Sequence, residues 1–321
     1  MKKASIVWMI IAAFLILIGG MIFVGGMTMF EWDFSKLGTD KYETNTYEVN
    51  ENFNNISINA NTEDITFKVS EDGKCKVVCF ENKKEKHTVL VENDTLTVNV
   101  ENNRKWYDYI QISFKSPKIT VYLPNTEYKS LFIKEDTGDI EIPKDFGFES
   151  IDLALSTGDV KNYASAIHSI KIKTSTGKIH VENVNTGSMD LCVSTGDITV
   201  YSVGCQAELK IKVSTGDADL KGVSCESLST TGDTGDLKLD SVIASKKFDI
   251  KRSTGGIKLE KCDASEICIK TSTGSVKGTL LTEKIFITKS DTGSIKVPSS
   301  TSGGICEITT DTGDIKIQIE Q

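Results

Sequence analysis

The stretch Asp136-Thr137-Gly138-Asp139-Ile140 decides the fold of this chain, because close copies of it return nine times. The copies follow one another at intervals of 19 or 20 residues, and each contains a Thr-Gly pair. A period near 20 residues is typical of an array in which one small unit stacks on the next. The ten corner glycines are Gly138, Gly158, Gly177, Gly196, Gly216, Gly235, Gly255, Gly274, Gly293 and Gly313.

Each period carries apolar residues two apart on both sides of its glycine. The residue seven positions before the glycine is apolar in all ten coils, from Leu131 to Cys306. The residue two positions after the glycine is also apolar in all ten, from Ile140 to Ile315. A spacing of two is that of a β-strand. Each coil is therefore predicted to be a strand, a Thr-Gly corner, a second strand and a looser turn.

One such coil cannot bury its own apolar face, but stacked coils can, with each strand about 4.8 Å from a parallel counterpart. The sequence thus predicts an all-β fold, a parallel β-solenoid of about ten coils over residues 131–321. Right-handed winding is expected from the general preference of parallel β crossovers. The corner glycine is expected to adopt a backbone conformation that a Cβ atom would obstruct.

The amino-terminal segment is predicted to be a transmembrane helix. No charged residue lies between Lys3 and Glu31, and the intervening run exceeds the 20 or so residues that span a bilayer. Lysines before it and acidic residues after it predict a cytoplasmic amino end and extracytoplasmic repeats in a single-pass protein of the cell membrane. The alternative is a cleaved signal peptide, whose apolar region is normally shorter and ends in a small-x-small site.

Four regions follow from these patterns. They are a cytoplasmic stub with its anchor at 1–30, a juxtamembrane linker at 31–46, an irregular β cap at 47–130 and the solenoid at 131–321. In the cap, Glu63 stands where a degenerate first coil would have its glycine. The last coil has no comparable cap and is expected to be an open edge. Strands are predicted in the cap at Cys75–Phe80, His87–Val91, Thr95–Val100, Ile110–Phe114 and Ile119–Leu123.

The eight cysteines invite a disulfide framework in an exported protein, but their spacing argues against one. Cys75 and Cys79 on one strand would lie about 13 Å apart, beyond the reach of a disulfide. Cys205 and Cys225 stand at the same point of adjacent coils. Either a bridge between these two or a pair of buried thiols fits this spacing.

Catalytic machinery is not visible in the sequence. His87, His168 and His180 belong to no catalytic or zinc motif, and the chain has only two arginines. We therefore expect no catalytic residue, no cofactor-binding residue and no enzyme, with a polysaccharide-active enzyme of the pectate-lyase kind as the lowest-ranked alternative. The net charge of −8 argues against a nucleic acid as partner.

Aspartates recur directly after six of the corner glycines, and some coils carry a second aspartate before the Thr-Gly pair. One interpretation is that they bond to backbone N–H groups at a solvated edge. The other is a ladder of weak cation sites, since stacked carboxylates repel by about 1 kcal/mol per pair and Ca²⁺ binds such oxygens. The nonapeptide of calcium-wound solenoids is absent. The paired candidates are Asp136, Asp139, Asp233, Asp236, Asp311 and Asp314.

The Thr-Gly-Asp coils, the apolar anchor and the run Lys41-Tyr42-Glu43-Thr44-Asn45-Thr46 resemble bacterial β-strand-repeat proteins of a domain-of-unknown-function family labelled "putative adhesin". The resemblance covers nearly the whole chain. It implies a membrane-attached envelope protein, mostly of Gram-positive bacteria. It brings no catalytic residues to this sequence.

These observations predict a non-catalytic, membrane-anchored envelope protein whose extracytoplasmic rod serves adhesion or another envelope interaction. The anchor is expected to interact with the lipid bilayer. The rod is expected to bind an envelope protein or a polysaccharide. One alternative is an envelope-stress accessory or sensor, which would act through a membrane partner because Met1–Lys3 leaves almost nothing to signal with. Another is a self-assembling scaffold that adds strands at the open last coil.

Overall fold

The computed structural model describes residues 3–29, 31–32, 41–102 and 116–320. These residues form one α-helix and 24 β-strands. The strand predicted at Ile110–Phe114 lies outside the described residues. Helix α1 is Lys3–Met29, and its span Ile6–Met29 is long and apolar enough to cross a membrane. A signal sequence passes the same test of length and composition.

The strands before the first regular coil agree with the strands predicted there. They are β1 Tyr42–Val49, β2 Asn55–Ala60, β3 Asp64–Val69, β4 Cys75–Asn82, β5 Glu85–Glu92, β6 Thr95–Asn102 and β7 Lys118–Leu123. Strand β1 begins inside the segment 31–46 that was predicted to be a linker. Its residues Tyr42–Val49 pair antiparallel with β4.

The strands of the regular coils are longest between Ala218 and Thr273, where the looser turn itself becomes extended. They are β8 Glu127–Thr137, β9 Ile140–Ile142, β10 Gly147–Thr157, β11 Val160–Asn162, β12 Ser165–Thr176, β13 Ile179–Glu182, β14 Asn185–Thr195, β15 Ile198–Cys205, β16 Glu208–Thr215, β17 Ala218–Thr234, β18 Leu237–Thr254, β19 Ile257–Thr273, β20 Val276–Leu280, β21 Lys284–Thr292, β22 Ile295–Lys296, β23 Gly304–Thr312 and β24 Ile315–Ile319.

The regular coils stack in parallel and in register, as the repeat predicted. We call a corner and the two strand segments that flank it a rung. Leu153 pairs with Ile133 on one side and with Ile172 on the other, and Val160 pairs likewise with Ile140 and Ile179. The apolar residues two apart face inward, and most are fully buried. The β-solenoid is thus confirmed, while its right-handed winding stays a prediction.

The amino-terminal cap is more regular than predicted, because one further rung and then two further strands extend the parallel stack. The rung β2–β3 pairs with β8 and β9, and Glu63 takes the place of the corner glycine as predicted. Beyond it, β6 pairs in parallel with β2 and β7 with β3. Antiparallel strands then close this end, with β5 on β6, β4 on β7 and β1 on β4.

The opposite end corrects a second expectation, since the last coil in the sequence is not the outermost rung. Strand β23 pairs with β19 on one side and with β21 on the other, and β24 lies likewise between β20 and β22. The rung of Gly313 is therefore inserted between the rungs of Gly274 and Gly293. Lys284 Nζ, on the outermost rung, lies 2.6 Å from Asp263 Oδ1 of β19 and so ties these strands together past the inserted one.

The corner glycines touch the backbone of the neighbouring rung, which explains why all ten Thr-Gly corners have glycine there. A Cβ atom on Gly216 would lie 2.1 Å from the carbonyl oxygen of Gly196, and one on Gly235 would lie 2.0 Å from that of Gly216. Gly216 also has a φ of +136°, in a region that residues with side chains rarely adopt. The expected obstruction of a Cβ atom is thus confirmed, and its cause is the stacking of one corner on the next.

We predict that Gly216→Val lowers the free energy of unfolding by about 3 kcal/mol or more, since it combines backbone strain with a backbone clash. Because each rung contacts only its neighbours, the loss should divide the rod and give two unfolding transitions where the wild type gives one. Urea denaturation followed by circular dichroism measures both effects.

Lys212→Val is the matched control, because it places the same side chain at an exposed strand position of the same rung. It should change the free energy of unfolding by no more than about 0.5 kcal/mol. Equal stabilities of the two variants would show that the corner tolerates a side chain.

The inserted rung predicts a specific cross-link. Lys270 and Lys289 both pair with Thr309, from opposite sides. The double variant Lys270→Cys, Thr309→Cys should form a disulfide, whereas Lys270→Cys, Lys289→Cys should not, because two rungs span about 9.6 Å and a disulfide needs Cα atoms within about 7 Å. Peptide mapping of the oxidised proteins reads out the bond. The reverse pattern would show that the coils stack in sequence order.

Candidate functional site

The aspartates after the corner glycines hold adjacent rungs together. The Oδ1 atom of each accepts a hydrogen bond from the backbone N–H that follows the corner of a neighbouring rung, at N to Oδ1 distances of 2.8 to 3.2 Å. The acceptors are Asp139, Asp159, Asp197, Asp217, Asp236 and Asp314. The first of the two interpretations, bonding to backbone N–H groups, therefore describes these contacts, which run between rungs and not within one turn.

The contacts of one of these carboxyl groups, that of Asp314, shift its acidity. The backbone N–H and hydroxyl of Ser294 both donate to Asp314, which lowers the pKa of Asp314. The structure places the second aspartate of each predicted cation pair, Asp136, Asp233 and Asp311, on the exposed side of its strand. Cation binding by the six paired aspartates stays a prediction.

The cysteines carry free thiols. Cys75, Cys79, Cys205, Cys225, Cys262 and Cys306 are buried, and Cys192 and Cys268 are half-buried. Cys205 and Cys225 are thus a pair of buried thiols and not a disulfide bridge. Burial raises the pKa of Cys225 to about 12, so that this thiol is neutral in ordinary conditions.

A cluster of buried ionisable side chains joins the cap to the rod. It lies where the hairpin β4–β5 covers the corner of the rung β2–β3. His87 Nδ1 lies 2.6 Å from Oε2 of Glu81, and His87 Nε2 lies 3.6 Å from Oε1 of Glu63. The side chains of His87 and Glu81 are fully buried and that of Glu63 is 2% exposed.

Two of the carboxylates in this cluster are well supplied with donors. Glu63 Oε2 accepts the backbone N–H groups of Asn61 and Thr62, both at 2.8 Å. Glu81 accepts from the backbone N–H of His87 and from the side chains of Asn45 and Tyr47. These hydrogen bonds hold both side chains in place.

Glu135 is the third carboxyl group of the cluster and behaves differently. Its Oε1 accepts from the backbone N–H of Glu63 at 3.3 Å, and its Oε2 has no hydrogen-bond partner. Burial, reinforced by the nearby Glu63 carboxylate, raises the pKa of Glu135 to about 9. Glu135 is therefore protonated at neutral pH.

The cluster also includes the one set of metal-binding side chains that the described residues bring together. Ligand atoms of Cys79, Glu81 and His87 lie within 4.8 Å of one another, and all three residues are buried. Cys79 and Glu81 stand two apart on β4 and so face the same way, toward His87 on the next strand. Sequence reasoning missed this set, although the alternation Cys79-x-Glu81 before a His-containing strand was visible.

A second buried charge lies in the middle of the rod. The guanidinium of Arg252 fills the space that Gly232 leaves in the preceding rung, and a Cβ atom on Gly232 would lie 1.9 Å from it. Among the described residues no atom accepts a hydrogen bond from this guanidinium. Burial lowers the pKa of Arg252, while the carboxylates of Asp217, Asp236 and Asp233 oppose that shift.

The surface carries a groove along the side of the rod formed by the looser turns. We call it the lateral groove. It has a volume of about 510 Å³ and crosses successive rungs from β8 to the turn after β15. Its lining is rich in amide and hydroxyl side chains, with Asn54, Ser165, Asn185 and Gln206 along its length. The isoleucine Ile167, which is 58% exposed, stands at its edge.

The lateral groove continues onto the cap. A second depression of about 570 Å³ shares Asn54, Glu127 and Tyr128 with it and adds Asn50 and Asn52. Gly147 leaves the floor open, because a Cβ atom there would meet nothing nearer than 3.7 Å. The groove thus offers amides that both donate and accept hydrogen bonds over several rungs. Sequence reasoning did not find it, since it depends on the irregular turns between the repeats.

Comparison with solved structures finds proteins with low sequence identity. A putative adhesin from Bacteroides fragilis is 16% identical, with 87% of this chain and 97% of that one covered at a TM-score of 0.42. A putative adhesin from Parabacteroides distasonis is 13% identical, with 87% of this chain and 98% of that one covered at a TM-score of 0.46. A putative lipid binding protein from the same organism is 12% identical, with 88% of this chain and 98% of that one covered at a TM-score of 0.46. Similarities of this size carry no information on ligands.

No curated protein matches the chain. The model of one protein family does match, over residues 53–217 and again over residues 206–321. These two matches take in the cap from rung β2–β3 onward and all ten Thr-Gly corners, which agrees with the resemblance to a β-strand-repeat family. The chain therefore belongs to the Toastrack DUF4097 family.

Proposed function

We propose that this chain is a non-catalytic cell-envelope protein that binds an envelope polymer along its rod. A membrane-spanning α1 holds it in the bilayer, and its β-solenoid lies outside the cytoplasm. The lateral groove is the observation that carries the proposal, because it is an open surface that presents amide and hydroxyl side chains, beside apolar and charged ones, over several rungs. The ionisable cluster around His87 is buried, so that no substrate contacts it in the folded protein.

The chemistry of the lateral groove suits a polysaccharide. Sugar hydroxyls both donate and accept hydrogen bonds, as do the side-chain amides of Asn185 and Gln206. Both of these residues are exposed, and both lie at the same side of the rod as Ser165. A polymer that runs along the rod would meet such groups at each rung, about 4.8 Å apart. The alternative partner is an envelope protein, and the binding experiment below distinguishes it from a polysaccharide.

Self-assembly is a second candidate, and the outermost rung favours it. Among the described residues strand β21 pairs on one side only, with β23, and its other edge is open. Ile287 and Ile295 on this rung are 55% and 45% exposed. Open edges with apolar side chains favour the addition of further strands. Sedimentation at increasing protein concentration distinguishes this candidate from a monomeric binder.

The orientation in the membrane gives the first test. Lys2 and Lys3 precede the apolar span, and acidic residues follow it. Protease added to intact cells from which the wall has been removed should therefore digest the rod and leave a small fragment that contains α1. Protection of the rod until the cells are lysed would place it in the cytoplasm and contradict the proposal.

The lateral groove gives the second test. Gly147→Phe should fill the groove without a backbone clash and lower binding of the full-length protein, in detergent micelles, to insoluble cell-wall polysaccharide about tenfold, roughly 1.4 kcal/mol. Lys161→Phe adds the same side chain to an exposed position of the next strand of the coil and should leave binding unchanged. Equal binding by both variants would exclude the groove as the binding site. Binding to wall proteins alone would show that the partner is an envelope protein and not a polysaccharide.

A further inference from the structure

The strongest unexplained feature of the molecule is the nitrogen Nε2 of His87. The side chain of His87 is fully buried, and its Nε2 has no hydrogen-bond partner. A buried polar atom without a partner destabilises the fold, because it has given up its bonds to water. The other ring nitrogen, Nδ1, is held 2.6 Å from Glu81 Oε2. The imidazole is thus fixed on one side only.

The donor set around the ring is that of a transition-metal site. A thiol, an imidazole and a carboxylate, from Cys79, His87 and Glu81, offer ligand atoms within 4.8 Å of one another. Sulfur together with imidazole nitrogen favours Zn²⁺ over the hard cations Ca²⁺ and Mg²⁺. In tetrahedral zinc sites the metal lies about 2.0–2.3 Å from such ligands.

We propose that Cys79, Glu81 and His87 bind one Zn²⁺ ion through Sγ, Oε2 and Nδ1. The metal replaces the proton that lies between His87 and Glu81, and these two atoms move apart from 2.6 Å to about 3.3 Å, the separation that two ligands have on one tetrahedral zinc ion. Three protein ligands leave the fourth position to a water molecule.

Glu63 completes the site as a positioning residue. When Nδ1 of a histidine binds a metal, the other ring nitrogen carries a proton and usually donates it to a carboxylate. Glu63 Oε1 lies 3.6 Å from His87 Nε2, and a small closure would make this contact a hydrogen bond. The backbone bonds from Asn61 and Thr62 already fix Glu63 in place.

The exchange of protons for the metal balances. The proton displaced from Nδ1 moves to Nε2, which donates it to Glu63, and the Cys79 thiol gives its proton to solvent. The Zn²⁺ ion therefore brings one net positive charge into the cluster, beside the carboxylates of Glu81 and Glu63. Since Cys79 and Glu81 lie on β4 and His87 on β5, the ion would join two of the strands that close the rod, and Glu63 would link them to the rung β2–β3.

Cobalt supplies a direct test, because a Co²⁺–thiolate bond has its own absorption band in the near ultraviolet. Full-length protein in detergent micelles is unfolded, stripped with a chelator, and refolded with Co²⁺ or Zn²⁺. We expect one bound metal ion per chain by elemental analysis, a thiolate band in the Co²⁺ form, and a melting temperature that a chelator lowers when it is present during refolding.

Cys79→Ser should lose the thiolate band. Cys75→Ser is the matched control, because Cys75 lies on the same strand, is also buried, and belongs to no ligand set. It should keep the band and the bound metal ion.

Wild-type protein that refolds with less than a tenth of a metal ion per chain, or without the band, overturns the proposal whatever the variants do. So does a band that survives in Cys79→Ser. The result is independent of the proposed function, since it concerns the cap and not the lateral groove.

Discussion

The contact between one corner glycine and the carbonyl group of the next is the constraint on which the rest of this rod depends. A Cβ atom at Gly158, Gly196 or Gly274 would lie 1.9 Å from a backbone carbonyl oxygen. The corners can therefore approach to the spacing of parallel strands only when no side chain intervenes. Once the corners are in register, the apolar residues two positions beyond them meet in rows, and the core follows. The looser turns lie farthest from this contact, and they are where the lengths vary and the lateral groove forms.

The polar side chains of the corners serve the same register. Each aspartate after a glycine accepts the N–H of a neighbouring rung, so that a shift of one residue would leave both groups without partners. Arg252 illustrates the same dependence inside the rod, because its guanidinium occupies the volume that Gly232 leaves free. Three carboxylates at nearby corners favour its charge, which reduces the cost of its burial. A large residue in one rung and a missing side chain in the next thus define a unique pairing.

Much of this architecture could be predicted from the sequence, because the repeat determines it residue by residue. The corner glycines, the inward-facing positions and the degenerate coil at Glu63 all lie where the period places them. The order of the rungs could not be predicted, since every Thr-Gly rung presents similar edges and the period does not say which rung is the neighbour of which. The buried cluster was also beyond reach. Its members Glu63, His87 and Glu135 are far apart in the chain, and only the pairing of β2 with both β6 and β8 brings them together.

The rung order has a mechanical consequence. The first rung in the sequence, β2–β3, and the last, β23–β24, are each paired on both sides, whereas the outermost strands of the parallel stack, β6, β7, β21 and β22, are internal segments of the chain. A pull on either end of the rod's chain must therefore shear two ladders of hydrogen bonds at once before the first coil is released. A solenoid wound in simple order would peel away one ladder at a time. For a rod that is tethered at one end, this arrangement gives the release of the first coil a high barrier in place of a series of low ones.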